Sequence, residues 1–115
     1  MDTYISQNQN TLNFHKNYEI MPDILEIRCD TMKKLLNEIN KCFFDFQKTP
    51  IIRKAIRVAE YTKYSVRVSN KYYSQYAMNS IITKLENFQT YMLNNNYTEA
   101  IKCINVIMVE KNNYF

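Results

Sequence analysis

The chain of 115 residues contains no glycine and no tryptophan, two prolines and one histidine. The missing glycine excludes a glycine-rich phosphate loop, a dinucleotide fingerprint and a nucleophile elbow, all of which need backbone that a Cβ would block. It also removes the Asn-Gly and Asp-Gly turns on which short hairpins are built. With His15 alone, and that residue in a polar stretch, no histidine-based metal site and no Ser-His or Cys-His catalysis is expected. The three cysteines, Cys29, Cys42 and Cys103, are far apart, odd in number and flanked by apolar residues. They form no C-x-x-C pair, so a zinc site is not expected, and they read as free buried thiols in a reducing compartment. No apolar run approaches the length of a membrane span, and no charged-then-apolar leader opens the sequence. The expected location is cytoplasmic.

What is present is ordinary for a globular protein: 46% hydrophobic and 23% charged residues. Such a length implies one domain with one core. The formal charge of +4 is unevenly spread. Residues 1–47 are net −2, residues 48–71 net +6 and residues 72–115 neutral. The basic block holds Lys48, Arg53, Lys54, Arg57, Lys63, Arg67 and Lys71 against Glu60 alone. It is either a solvated face balanced by the acidic first segment or an attractor for phosphate or acidic partners.

Residues 1–20 show neither helical nor strand periodicity and read as a flexible or docked tail, with residues 21–115 forming the helical domain. A first helix is expected over 23–47, with Asp23 as N-cap and Glu26 completing a capping box. Leu25, Met32, Ile39 and Phe46 recur every seven residues, and Leu35, Leu36, Cys42 and Phe43 fill the same stripe. Thr49-Pro50 marks the expected boundary, since proline suits the first turn of a helix but not its interior. A second helix is expected over 50–69, burying Ile52, Ile56, Ala59 and Val66. Ser74 is placed as N-cap of a third helix over 75–93, with Ala77, Ile81, Leu85, Phe88 and Met92 as its stripe. Asn94-Asn95-Asn96 ends that helix, because asparagine tolerates left-handed backbone. Asn96 can also cap a fourth helix over 97–110, with Glu99 at the capping-box position, burying Ala100, Ile101, Ile104 and Met108 beside Cys103 and Ile107. Four amphipathic helices with short connections predict an all-α antiparallel bundle.

The last two helices carry Ile82 and Leu85, Phe88, Tyr91-Met92-Leu93, then Asn95-Asn96-Tyr97-Thr98-Glu99-Ala100-Ile101, then Ile104 and Val106 to Val109. Upstream, Met21-Pro22 precedes the long first helix, Cys42 lies near its end, and Thr49-Pro50 with Arg53-Lys54 opens the second. Over roughly residues 21–110 this pattern resembles the family of the steroid receptor RNA activator protein and the C-terminal domain of the COPII outer-coat scaffold protein. The resemblance implies a helical, non-enzymatic interaction domain. Its functions in that family would be coat scaffolding at the cytosolic face of the endoplasmic reticulum, or association with ribonucleoprotein complexes. Family members continue past the position of Met108 into one more helix. The face such a helix would cover is expected to be exposed, covered by residues 1–20 or covered by a partner.

Two functional expectations follow. The first is an adaptor or scaffold module that binds a protein partner within a larger assembly. Tyr61, Tyr64, Tyr72, Tyr73 and Tyr76 crowd one stretch, and tyrosine is favoured at interfaces, although the same residues can line a core and its rim. The second is binding of structured RNA or a ribonucleoprotein, with cations of the basic helix on phosphate and tyrosines stacking on unpaired bases. For both, Arg53, Lys54, Arg57, Lys63 and Arg67, with Tyr61 and Tyr64, form the expected contact face. Catalysis is not expected: Glu26 and Asp30 lie one turn apart, but no nucleophile or cofactor motif accompanies them. No cofactor, metal or small-molecule substrate is expected. Membrane-surface binding by the second helix is disfavoured because that helix lacks a broad apolar face.

Overall fold

Pro22 opens the first helix, where its missing N–H costs nothing and its fixed φ suits the turn. The computed structural model describes residues 20–114. The expected tail, residues 1–19, lies outside the described residues. Four helices follow one another: α1 (Pro22–Asn40), α2 (Asp45–Arg67), α3 (Gln75–Leu93) and α4 (Tyr97–Tyr114). Every regular element among the described residues is helical. Each helix packs on its predecessor, and α4 returns against α1. Side-chain bonds fix the directions. The start of α1 meets the end of α4 through Glu26 and Lys111, and the start of α3 meets the end of α4 through Ser80 and Glu110. The arrangement is the expected all-α antiparallel bundle, closed in a ring, and across its diagonal Lys48 of α2 stands 6.0 Å from the Tyr97 ring centroid of α4.

The core is drawn from all four helices. Leu25, Met32 and Ile39 on α1, Ala59 and Val66 on α2, Ile81, Leu85, Phe88 and Met92 on α3, and Ala100, Ile104 and Ile107 on α4 are fully buried. Truncating a buried ring such as Phe88 to alanine would cost about 3–5 kcal/mol. Ile52, Ile56, Ile101 and Met108, expected in the buried lines, are only partly buried and pack on the edge of this cluster. Ala55 and Thr62 take the deeper positions on α2, where small side chains let α2 approach its neighbours. Of the three free thiols, Cys29 is buried while Cys42 and Cys103 are half-buried. Ile20 is not part of a loose tail. It is buried, and its N–H donates to Ser69 Oγ at 2.7 Å, pinning the chain entry to the far end of α2.

Three local expectations are corrected. Asp23 does not cap α1; Met21 occupies the N-cap without a side-chain bond, and Asp23 sits in the first turn, where a negative charge complements the helix dipole. Glu26 therefore does not close a capping box but reaches α4. The first helix stops at Asn40, not residue 47, and the second begins at Asp45, so Thr49-Pro50 is no boundary. The cause is a competing cap. Gln47 Oε1 accepts the N–H groups of both Phe43 and Phe44 at 3.1 Å, and the Gln47 N–H returns to the Phe44 carbonyl at 3.1 Å. This reciprocal pairing starts α2 before the proline. Pro50 then falls inside α2, one turn in. The break rotates Phe43 and Phe46 out of the core stripe: Phe43 is 91% exposed and Phe46 73%.

The caps of α3 and α4 follow expectation, whereas α2 ends at Arg67, short of the expected 69, and α4 runs on to Tyr114, past the expected 110. Ser74 caps α3, its Oγ accepting the Ala77 N–H at 3.1 Å. After Leu93, Asn95 adopts φ 58°, the Asn96 N–H bonds the Tyr91 carbonyl at 2.8 Å and the Asn95 N–H bonds the Met92 carbonyl at 3.2 Å. This is a Schellman closure with asparagine in the role usually taken by glycine. Asn96 Oδ1 then accepts the Glu99 N–H at 3.3 Å and caps α4.

Candidate interaction surfaces

The solvent side of α2 is built by helical spacing. Arg53, Arg57, Glu60, Tyr64 and Arg67 are separated by four, three, four and three residues and so share one stripe, with Lys54 and Tyr61 on its flank. Arg53, Lys54, Arg57 and Arg67 are exposed. Tyr61 is 52% exposed and Tyr64 half-buried. Six of the seven expected contact residues are thus gathered along one accessible flank of the bundle.

Lys63 is the exception. It is buried, and its ammonium lies 3.0 Å from a carboxylate oxygen of Glu60. Its stem is taken up by the bundle, so it holds Glu60 in place and does not meet a partner directly. Glu60 also accepts a 2.8 Å bond from Gln89 Nε2 on α3, whose amide reaches the Ile56 carbonyl at 3.1 Å as well. The hydrogen bond from Gln89, with that from Lys63, holds the Glu60 carboxyl below its usual range. The one acidic residue of the stripe is therefore already engaged from within.

The lysines and arginines divide by partner. Lys48, Lys63, Lys84, Lys102 and Lys111 each pair with a carboxylate of the chain. Arg53, Lys54, Arg57 and Arg67 form no ion pair with another described residue. Arg28, Lys33, Lys34, Lys41 and Lys71 likewise form none among the described residues, so the α2 flank stands out by gathering four such cations on one face.

Two shallow grooves adjoin this flank. One, between α1 and α2, is lined by Ile27, Arg28, Thr31, Val58 and Tyr61, and is mostly apolar. The other, between α2 and α3, is lined by Arg67, Gln75, Met78, Asn79, Ile82, Thr83 and Glu86. The periodicity did not reveal Ile27 and Arg28 as surface partners of Tyr61, because they lie on a different helix and meet it only through packing. The five crowded tyrosines separate by depth: Tyr73 is in the core, Tyr61 and Tyr76 are exposed, and Tyr64 and Tyr72 are intermediate.

Among the described residues no group of three or more His, Cys, Asp and Glu side chains is placed to hold a metal ion. Glu26 is engaged by Lys111 and Asp30 points to solvent, so the two do not work as a carboxylate pair. Burial pushes the Cys29 thiol up to about 12, with Asp30 adding to the rise, which leaves it a poor nucleophile at neutral pH. None of the four helices is long and apolar enough, over its described residues, to cross a membrane. No protein-family model, curated protein or solved structure matches the chain.

Proposed function

We propose that this chain is a non-catalytic helical binding module, acting as an adaptor or scaffold in a larger assembly through the α2 flank. The observation that carries the reading is the gathering of four exposed cations, Arg53, Lys54, Arg57 and Arg67, along one flank whose single carboxylate, Glu60, is already bonded by Lys63 and Gln89. Unpaired arginines beside an exposed tyrosine suit an acidic segment of a protein partner: the guanidinium offers a planar fork to carboxylates, and the tyrosine adds rigid contact area. The adjoining groove of Ile27, Val58 and Tyr61 gives such a segment an apolar footing. COPII-like coat scaffolding is the assembly that the family resemblance suggests for such a module.

The same cations support a second reading, contact with the phosphates of structured RNA or a ribonucleoprotein. Size-exclusion chromatography of the native protein from its own cells, at two salt concentrations and with nuclease, separates the two. The adaptor reading expects co-elution with protein that survives nuclease and is lost in the triple variant Arg53→Glu, Lys54→Glu, Arg57→Glu, with helical content unchanged by circular dichroism. Nuclease-sensitive co-elution that collapses at high salt would favour RNA. Unchanged co-elution of the triple variant would remove the α2 flank from either role.

A further inference from the structure

The turn between α1 and α2 presents apolar surface that the bundle does not use. Phe43 is 91% exposed, Phe44 59% and Phe46 73%, and the rings of Phe44 and Phe46 stack with centroids 5.6 Å apart. A phenylalanine ring buries on the order of 150–250 Å², so these three offer roughly 450 Å² of apolar surface from four consecutive positions. That matches the largest patch of an ordinary monomer, and such patches mark an interaction site. Leu93, 70% exposed, ends α3 at the same end of the bundle. Lys48 stands 6.0 Å from the ring centroid of Tyr97, which ties this turn to the one between α3 and α4.

We propose that this end of the bundle is a lipid-surface site, at which Phe43, Phe44 and Phe46 enter the interfacial region of an anionic membrane. Three observations favour lipid as the occupant. The rings stand exposed at a turn, as suits insertion into a soft phase. The backbone donors from Lys41 to Phe44 are bonded within the chain, while the Phe46 carbonyl, without its helical donor because of Pro50, stays at the hydrated headgroup level. The N–H of Lys41 goes to Glu38, that of Cys42 to Ile39, and those of Phe43 and Phe44 to Gln47 Oε1. Four consecutive donors can therefore leave water without being stranded, which is the condition that a low-dielectric phase imposes. The charge around the turn is complementary to anionic headgroups. Residues 41–54 carry Lys41, Lys48, Arg53 and Lys54 against Asp45 alone, and Lys48 engages Asp45 at 3.8 Å. Arg53 lies eight residues into α2, about 12 Å along the axis at 1.5 Å per residue. That is close to a Debye length from the headgroups when the rings are inserted.

The rings are separate from the α2 flank, although Arg53 and Lys54 serve both surfaces. The flank acts through charge and the groove of Ile27, Val58 and Tyr61, while the turn acts through apolar insertion. One molecule could therefore hold a membrane at its end and a protein along its side.

The chain has no tryptophan, so Phe43→Trp places a single indole at the turn. Val109→Trp places one on the exposed side of α4 toward the opposite end. Each full-length variant is titrated with vesicles of phosphatidylcholine, alone and mixed with phosphatidylserine. The expected result is a blue shift for Phe43→Trp on the mixed vesicles, with quenching by lipids brominated in their acyl chains, and no shift for Val109→Trp. Co-sedimentation with the mixed vesicles falls about tenfold or more in Phe43→Ser/Phe46→Ser, as lost apolar insertion requires. An unshifted Phe43→Trp emission on these vesicles would overturn the proposal. So would a blue shift that grows with protein concentration in the absence of lipid, which would assign the patch to a second copy of the chain.

Discussion

The ammonium of Lys111, near the end of α4, lies 3.0 Å from a carboxylate oxygen of Glu26, in the second turn of α1. The bond spans 85 residues of sequence and joins the first helix to the last. The two partners are not equally sheltered: the Lys111 side chain is 11% exposed and that of Glu26 46%. Beside it, Lys84 and Ser80 on α3 both engage Glu110 at 2.8 Å, so α4 is held by charge on both flanks.

The asymmetry predicts unequal mutants. Glu26→Gln leaves a nearly buried ammonium without its counter-charge and is expected to cost about 1–3 kcal/mol in urea unfolding. Lys111→Met leaves only a half-exposed carboxylate, which water can solvate, and fills the same volume with an apolar chain. It is expected to cost less than about 1 kcal/mol. A larger loss for Lys111→Met than for Glu26→Gln would show that the lysine stem, and not the pairing, holds the seam.

The asparagine closure of α3 gives a second prediction. Asn95 holds φ 58° in a chain without glycine. Asn95→Gly is expected to preserve or raise stability slightly. Asn95→Val is expected to lower it by about 1–2 kcal/mol, because a β-branched residue is strained in the left-handed region. Thermal melts of the two variants check this, and equal melting temperatures would mean that the turn relaxes out of the αL conformation.

Titration of Cys29 supplies a third. Burial raises its thiol from 9.0 to about 12. A raised pKa in the folded state favours the protonated form there, so its contribution to stability is complete below pH 9. It is lost progressively as pH rises from about 9 to about 12. Tyr73, also raised by burial and by the neighbouring Cys29, adds to the alkaline loss at higher pH. The slope of unfolding free energy against pH between 9 and 11 is expected to be shallower in Cys29→Ala than in the natural chain. At pH 8, a maleimide is expected to label Cys42 well before Cys29. Parallel slopes would exclude the buried thiol as the titrating group.

The bundle was legible because its information is periodic. The stripe of α3 matched the buried residues closely and that of α4 in Ala100, Ile104 and Ile107, and their caps, Ser74 and Asn96, are residue types whose side chains bond backbone N–H groups directly. The largest misreading fell in residues 41–50, for a physical reason. The heptad spacing of Leu25, Met32 and Ile39 extends without interruption to Phe46, and nothing in the spacing shows that the backbone leaves the helix at Lys41. The signal was Gln47, whose side chain caps α2 through Phe43 and Phe44. It is faint because phenylalanine is an atypical N-cap residue. The contact flank was legible as a stripe of cations, but the burial of Lys63 depends on Glu60 and on Gln89 of another helix, which spacing along α2 does not encode. The aromatic turn was hidden by the same error that lengthened the first helix: Phe43 and Phe46 read as part of its core stripe.

Pro50 tests that correction directly. Were Thr49-Pro50 the start of a helix, the proline ring would be preorganised there, and Pro50→Ala would be neutral or mildly destabilising. In the structure α2 begins five residues earlier, at Asp45, and Pro50 withholds the N–H that would bond the Phe46 carbonyl. Thr49 turns its hydroxyl to the Asp45 carbonyl at 3.2 Å, and Phe46 faces water, so the stranded carbonyl of Phe46 is solvated. Pro50→Ala restores the donor and removes the ring from the preceding turn. It is expected to raise stability by about 1–3 kcal/mol, less than or equal to the full cost of an interior proline because the site is exposed and near the helix start. Urea unfolding of the single variant reads the sign. Stabilisation supports an α2 that runs through residue 50, while destabilisation would return the helix start to Pro50 and with it put Phe43 and Phe46 back in the core stripe.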